Sequence, residues 1–335
     1  MSQPRRVVVI GGGTGIYSVV NALRQLPTEC SSIINASDSG GSTGRIRDEF
    51  GFPPVGDLRQ SLAAMADPTS QHWIRQLLLY RFEKGNGLKD HNLGNLILTA
   101  LQDLTGSTTE ALSIAAQIFR IHGKVIPITE NNVQLEIQYD DGTVLLGEHL
   151  LDDSTSPHKK ITRLRLTPEA VINPKAVDSI KNAQFVIIGP GDYYASLQSV
   201  LIVPGLKTIL AKSNAKILYF VNLMTRSTQT KDMTAREHVL GIEASIGRQL
   251  DYILVNSKTM ADSIRLRYEK EDEMPVIDDL LLDPRVIRSA LLSTAATVES
   301  KRGKENHPVL RHDEKQVLEC LKKIILSESK NKDAS

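Results

Sequence analysis

The stretch VVVIGGGTGIYSVVNAL, residues 7–23, constrains this chain of 335 residues more than any other. Val7 to Ile10 form a short apolar run without alternation, the pattern of a strand covered on both faces. Gly11, Gly12, Gly13, Thr14 and Gly15 follow, and a helix-period segment opens at once. A buried strand that turns through glycine into a helix begins a βαβ unit, and it aims backbone N–H groups and the positive end of a helix at one spot. A phosphate is the natural occupant, although a tight structural turn would use the same residues. The strict dinucleotide fingerprint needs a third glycine where Ile16 stands, and no glycine-lysine-serine or glycine-lysine-threonine follows to make a Walker loop.

The same order of elements recurs. Strand-length apolar runs stand at Ile33 to Asn35, Phe185 to Gly189, Lys216 to Asn222 and Tyr252 to Asn256. The alternation predicts a three-layer α/β/α fold, doubly wound around a mainly parallel, Rossmann-like sheet. Between the two sets of strands, GDLRQSLAAMA, QHWIRQLLLYRF, NLGNLILTALQDL and STTEALSIAAQIF read as covering helices, the last opened by a capping box of Ser107 and Glu110. From Lys124 to Leu166 the period changes to two, and VQLEIQYDDGTVLLGE reads as a hairpin turning at Asp140, Asp141 and Gly142. This predicts a small antiparallel insertion over about residues 124–166. Residues 1–315 are expected to form one α/β domain, and 316–335 a C-terminal helix with a frayed polar end.

Composition removes several function classes. The 40 basic and 39 acidic residues nearly cancel, so no global field favours nucleic acid or an anionic membrane surface. Aromatic residues are scarce, and no basic patch carries them interleaved. Cys30 and Cys320 give neither a disulfide framework nor a paired-cysteine zinc site. No apolar run suits a signal peptide or a bilayer span. The expectation is a cytoplasmic protein without membrane insertion or a nucleic-acid partner.

Two further stretches join the first. After the second strand comes SDSGGSTGRIRDEF, with Asp38, Gly40, Gly41, Ser42, Thr43, Gly44, Arg45 and Arg47. Small residues admit a ligand to the backbone, hydroxyls donate to oxyanions, and guanidinium groups clamp phosphate. Asp38 could take a ribose hydroxyl, hold Mg2+ or cap a turn. IIGPGDYYAS offers Gly189, Pro190, Gly191, Asp192 and Tyr194 after another buried strand, and VNLMT offers Asn222, Met224 and Thr225. Binding residues at several strand ends point to a large ligand.

With GGGTG, DSGGSTGRIRDEF, PPVGDLRQSLAAMA, LLYRF, DHNLGNLILTAL, GKVIPIT, IGPGDYYAS, VNLMT and VLRHD in this order, the chain resembles the CofD-like superfamily, and within it the YvcK branch of gluconeogenesis factors. The resemblance implies a Rossmann-like fold binding nucleotide ligands at the strand-end crevice. Relatives in its enzyme branch are phospholactate transferases that use Mg2+ and a guanosine diphosphate adduct. The YvcK branch is associated with nucleotide-sugars of the UDP-N-acetylglucosamine type and with cell-wall synthesis and cell shape during gluconeogenic growth, and no reaction is established for it. Asp38 and Asp57 match the Mg2+-holding acids of the transferases, with an N-terminal helix cap as the alternative role for Asp57. His91, Asn92 and Asn95 match the family's GHSLGN segment, with Asp90 replacing its glycine and Asn92 its serine. Tyr268 and Arg311 resemble a nucleotide-sugar contact pair of the YvcK branch. Ser39 stands where a second aspartate is common, and MTRSTQT lacks the usual glycine-glutamate.

Three readings follow. The first is a ligand-sensing regulator, in which a nucleotide-sugar or related diphosphate ligand shifts contacts with protein partners in cell-wall regulation. The second is a transferase, with Mg2+ at Asp38 and Asp57 neutralising a leaving diphosphate. A nicotinamide oxidoreductase ranks lowest, since the third glycine is missing. A homodimer is implied by the resemblance alone.

Overall fold

A computed structural model describes residues 3–13, 15–151, 159–293, 298–302 and 305–330. A seven-stranded parallel sheet forms the middle layer, built from β1 (Arg5–Gly11), β2 (Thr28–Ile34), β3 (Lys124–Pro127), β7 (Phe185–Ile188), β8 (Lys216–Phe220), β9 (Tyr252–Asn256) and β10 (Val286–Ser289). The strand order is β10-β9-β8-β7-β1-β2-β3. β4 (Gln134–Tyr139), β5 (Val144–Leu146) and β6 (Ile161–Thr167) form a separate antiparallel sheet with β4 in the centre. β11 (Val298–Arg302) and β12 (Glu305–Val309) pair as an antiparallel ribbon.

The all-apolar reading of β1 is explained by its two faces. Val7 and Val9 enter one core with α1 (Tyr17–Leu23), α3 (Gly56–Met65) and residues from the C-terminal helix. Val8 and Ile10 enter the opposite core, with Ala176 and Ile180, Leu206 and Leu210, and Val239 and Ile242. The first layer also carries α2 (Gly41–Phe50), α4 (His72–Leu79), α5 (Leu93–Thr105) and α6 (Thr108–Ile118). The second carries α7 (Pro174–Lys181), a π-helical turn (Tyr193–Gln198) running into α8 (Ser199–Leu201), α9 (Leu206–Lys212) and α10 (Ala235–Ile246). α11 (Asp262–Glu269) follows β9, and α12 (Glu314–Lys330) returns to α1, burying Val317, Leu321, Ile324 and Ile325.

Four local features differ from the sequence expectation. Lys124–Pro127 runs parallel to β2 at the edge of the large sheet, so the antiparallel sheet begins at Gln134. Val286–Ser289, a seventh strand, is too short and too polar to stand out from the sequence. Ser107 accepts the Glu110 N–H, but the reciprocal bond is missing: the Ser107 N–H donates to Thr105 Oγ1 at 3.3 Å, and a distant carboxylate, Glu130, accepts the Thr109 N–H at 3.0 Å and the Ser107 hydroxyl at 3.1 Å. The true capping box is Thr234 with Glu237, opening α10. The hairpin turn is as read, with Gly142 at φ +84°. Residues 331–335 of the expected frayed end lie outside the described residues. Among the described residues no single helix is long and apolar enough to cross a membrane.

Candidate functional site

The chain builds β1, β2 and β3 outward on one side, then β7, β8, β9 and β10 outward on the other. β1 and β7 are therefore neighbours where the winding reverses, the position at which open α/β sheets bind ligands. The loops after β1, β2 and β7 meet there. At Gly15 a Cβ would run into the carbonyl oxygen of Pro190 and come within 2.8 Å of Gly191 Cα. At Gly12 it would lie 2.6 Å from Asp57 Oδ2 and 3.3 Å from Ser196 Cβ. Only glycine allows the first loop this close to the other two. Asn35 fastens them: its N–H donates to Gly11 O at 3.1 Å, its Nδ2 donates to Ala195 O at 3.2 Å, and Ser37 donates to its Oδ1. Thr14 lies outside the described residues.

Two carboxylates converge on this crevice. Asp57 sits one residue inside α3, whose N-cap is Val55, so the capping role considered for it is not the one it plays. It accepts the backbone N–H of Gly13 instead. Asp38 accepts the Gly40 N–H at 3.0 Å and is hydrogen-bonded by the Thr43 side chain. A Cβ on Gly56 would meet both Asp38 Oδ2 and Thr43 Oγ1, which sets Asp38 against the residue preceding Asp57. Loss of solvent raises both carboxyl pKa values, and the charge of Asp38 helps bring Asp57 to about 8. Arg59 opposes this by its charge; burial in turn lowers its own pKa to about 10. Its guanidinium is held by Asn95 Oδ1 at 2.7 Å and Leu78 O at 3.0 Å. Two crowded, oxygen-only donors that repel each other suit Mg2+, which takes one or two carboxylates and fills its shell with phosphate oxygens and water. Among the described residues no cluster of three or more His, Cys, Asp or Glu side chains could hold a metal, so a ligand would supply the remaining oxygens.

The second glycine stretch is helix rather than loop from Gly41 onward, with Gly40 as N-cap. Ser42 and Thr43 are buried and turn toward α5. The Ser42 hydroxyl lies 3.3 Å from His91 Nδ1 and accepts the Asn92 N–H at 3.3 Å, while Asn95 Nδ2 donates to Thr43 Oγ1 at 3.3 Å. Asn92 is the N-cap of α5, accepting the Asn95 N–H. The DHNLGN segment thus props the first turn of α2 from behind. Arg45 is exposed on α2, and Arg47 is buried beside Asp48. Ser39 faces the insertion: its Oγ is 2.7 Å from His149 Nδ1 and accepts the His149 N–H at 3.2 Å.

Asp192 precedes the π-helical turn and receives both Nε (3.1 Å) and Nη2 (2.9 Å) of Arg226. Arg226 also lies 3.8 Å from the buried Glu273. Tyr193 and Tyr194 stack edge to face at 5.0 Å, and burial raises both phenol pKa values. Asn222 Nδ2 donates to Gly191 O at 3.0 Å. Met224 and Thr225 are buried: Thr225 exchanges hydrogen bonds with the Met274 backbone, and Met224 bridges to Pro275. The Tyr268 hydroxyl accepts the Leu310 N–H at 3.0 Å, which brings Tyr268 beside half-buried Arg311. The charges of Glu273 and Arg226 both act on Tyr268, so this pair adjoins the third loop through the Asp192–Arg226–Glu273 chain.

A profile of the family described as 2-phospho-L-lactate transferase CofD matches residues 7–296. The chain is 35% identical to the gluconeogenesis factor of Bacillus subtilis over 96% of its own length and 98% of that protein. It is 33% identical to the gluconeogenesis factor of Halalkalibacterium halodurans, over 95% and 96% of the two chains. A crystal structure of a UPF0052 family member from Bacillus halodurans superposes with a TM-score of 0.85 at 31% identity, covering 96% of this chain and 99% of that one. The chain belongs to the CofD family, in its YvcK-like branch.

For this CofD-family member, sequence reading missed Arg59, Asn35, Ser196 and His149. Arg59 carried a signal, since it lies two residues after Asp57 and in the same first helical turns. His149 carried none, because its partner Ser39 is 110 residues away. What the arrangement offers chemically is glycine-lined loop backbone at the sheet's switch point, two carboxylates suited to a cation, and one guanidinium held behind them.

Proposed function

We propose that this protein binds a nucleotide-sugar of the UDP-N-acetylglucosamine type and acts as a regulatory factor that supports cell-wall synthesis and cell shape during gluconeogenic growth. The observation that carries this reading is the meeting of three strand-end loops around Asp38 and Asp57 at the switch point of the sheet. Full-length similarity to proteins named gluconeogenesis factors supports it. The ligand's diphosphate lies at the loop amides, and its extended remainder touches the third loop and the Tyr268–Arg311 pair. Changes there pass to protein partners through the segments that pair with residues 274–275 and 310–313. The test is thermal unfolding of the whole protein with UDP-N-acetylglucosamine, NAD+ or free N-acetylglucosamine. A ligand at a hundredfold excess over its Kd stabilises by about 2.7 kcal/mol, worth several degrees in Tm. The UDP-sugar should give that shift; equal shifts from all three, or none, would end the reading.

A second reading, a Mg2+-dependent transferase acting on a diphosphate-linked substrate, is favoured by the carboxylate pair. Asp38 and Asp57 would hold the cation, which when bound neutralises charge on a departing diphosphate. The loop amides and Arg59 would orient that group. Turnover of a diphosphate-linked donor that disappears in Asp38→Asn with Asp57→Asn would establish it.

A further inference from the structure

A serine and a histidine meet beside the crevice with the geometry of a nucleophile and its base. Ser39 Oγ lies 2.7 Å from His149 Nδ1 and accepts the His149 backbone N–H at 3.2 Å. Nδ1 is thus the acceptor to which the hydroxyl proton is assigned, which places the ring proton on Nε2. Ser39 is 8% exposed, so its hydroxyl is screened from bulk water and its bond to the imidazole is strengthened. His149 stands in a 3-10 turn (Glu148–Leu151) that is itself held: the Leu150 N–H donates to Gly147 O at 3.2 Å, and Leu151 is buried in the core of the insertion. The imidazole is exposed, so it exchanges protons with solvent. Ser39 directly precedes Gly40, the N-cap of α2, and the N–H groups of Gly41 and Ser42 in the first turn have no carbonyl partner within the helix. A Cβ on Gly41 would meet nothing within 4 Å, so this end of the helix is open. From a Cβ placed on Gly40, Asp38 Oδ1 is 3.7 Å and His149 Cβ 3.9 Å away, so the histidine flanks the same turn as the crevice carboxylate.

We propose that Ser39 is a nucleophile toward phosphorus with His149 as its general base, and that the protein cleaves a phosphate ester or diphosphate seated in the crevice through a phosphoserine. The inference rests on the reading of the crevice as a phosphate site and goes beyond the binding role. Ser39 Oγ attacks phosphorus. The Oγ–P bond forms as the bond from phosphorus to the leaving oxygen breaks, and the hydroxyl proton passes to His149 Nδ1 and on to that oxygen. Water then attacks the phosphoserine and gives a proton to His149; the Oγ–P bond breaks, and the proton returns to Oγ. The sum is hydrolysis, with water as the second reactant. The first-turn amides of α2 donate to the phosphoryl oxygens as charge builds on them. A serine hydroxyl without an adjacent base is a weak nucleophile, so the rate depends on His149.

Diisopropyl fluorophosphate, an uncharged phosphorus electrophile, tests the pair on the full chain. Attack by Oγ forms the phosphate ester and releases fluoride while His149 takes the proton. Intact-mass spectrometry should show a single diisopropylphosphoryl group, and peptide mapping should place it on Ser39. Ser39→Ala should remove the adduct, and His149→Gln should slow its formation by about a hundredfold or more, the scale of general base catalysis. UDP-N-acetylglucosamine at about ten times its Kd should slow labelling of the unmodified chain roughly tenfold, as mass action requires of a ligand that covers the first turn of α2. No adduct on the unmodified chain, an adduct on another residue, or an unchanged rate in His149→Gln overturns the dyad and leaves the diphosphate reading standing. A UDP-sugar that raises Tm but leaves labelling unchanged overturns the crevice substrate alone. One without effect on either Tm or labelling removes the phosphate reading and the proposed substrate together. If a variant does not melt cooperatively, the mapped site on the unmodified chain decides alone.

Discussion

Gly15 and Asp57 carry the most consequence per atom. A methyl group at Gly15 meets the Pro190 carbonyl, so Gly15→Ala should push the first and third loops apart. Circular dichroism should stay native while UDP-sugar affinity drops more than tenfold, because the strain falls on the loops and not on β1. Native affinity in that variant would mean that the loops do not act together. Asp57 leads to a pH prediction. Its carboxyl is raised from 3.8 to about 8 in the folded protein, so the folded state holds a proton that the unfolded chain releases. That stabilisation is complete below about pH 4 and is lost as pH rises through about 8. Ligand-free protein should therefore lose Tm across this window, Asp57→Asn should flatten the loss, and Mg2+ should offset it at the alkaline end. His312 acts in the opposite sense at acid pH: burial lowers it to about 4, so its contribution fades as pH falls from 6.5 toward 4. At this scale the turn at Asp38 was legible because it is local, the carboxylate accepting the N–H of Gly40 two residues on. The hydrogen bonds of Ser42 to Asn92, Thr43 to Asn95 and Thr225 to Met274 were not, since those partners are distant in sequence.

Among the elements, α6 shows how a cap can look complete in sequence and be finished elsewhere. Ser107 sits at the N-cap, but the carboxylate at its N-terminus belongs to Glu130, on the loop after β3. Ser107→Ala and Glu130→Ala should each cost about 1 kcal/mol in urea unfolding. A double mutant well short of the sum would show that they act as one unit, while Glu110→Ala should cost little. The Arg226 bridge is a stronger device. Removing its guanidinium leaves Glu273 buried beside a lost partner, so Arg226→Met should destabilise by about 3 kcal/mol and weaken ligand binding, because Asp192 is released at the third loop. A stable variant with intact binding would show the bridge to be incidental. Strand and helix positions followed from apolar periodicity, and β10 escaped because Val286–Ser289 is short and half-polar.

Across the whole molecule, α12 closes the core on the side of α1, with Val317, Leu321 and Ile325 fully buried and Asp313 accepting the N–H groups of Lys315 and Gln316. Deleting residues 314–335 should therefore abolish cooperative unfolding instead of trimming a dispensable end, as a melt monitored by circular dichroism would reveal. The alternation of buried strand, glycine turn and amphipathic helix follows from backbone preference and residue polarity within a few positions, and it was enough to specify a doubly wound parallel sheet and to place glycine turns at its strand ends. Which of those ends share a crevice is a matter of strand order, since β1 and β7 are neighbours only after the sheet assembles. The same holds for the raised carboxyl of Asp57, the pairing of Asp192 with Arg226 and the contact of Ser39 with His149. Each arises from desolvation or contact between segments far apart in the chain, and such quantities exist only once the chain has closed upon itself.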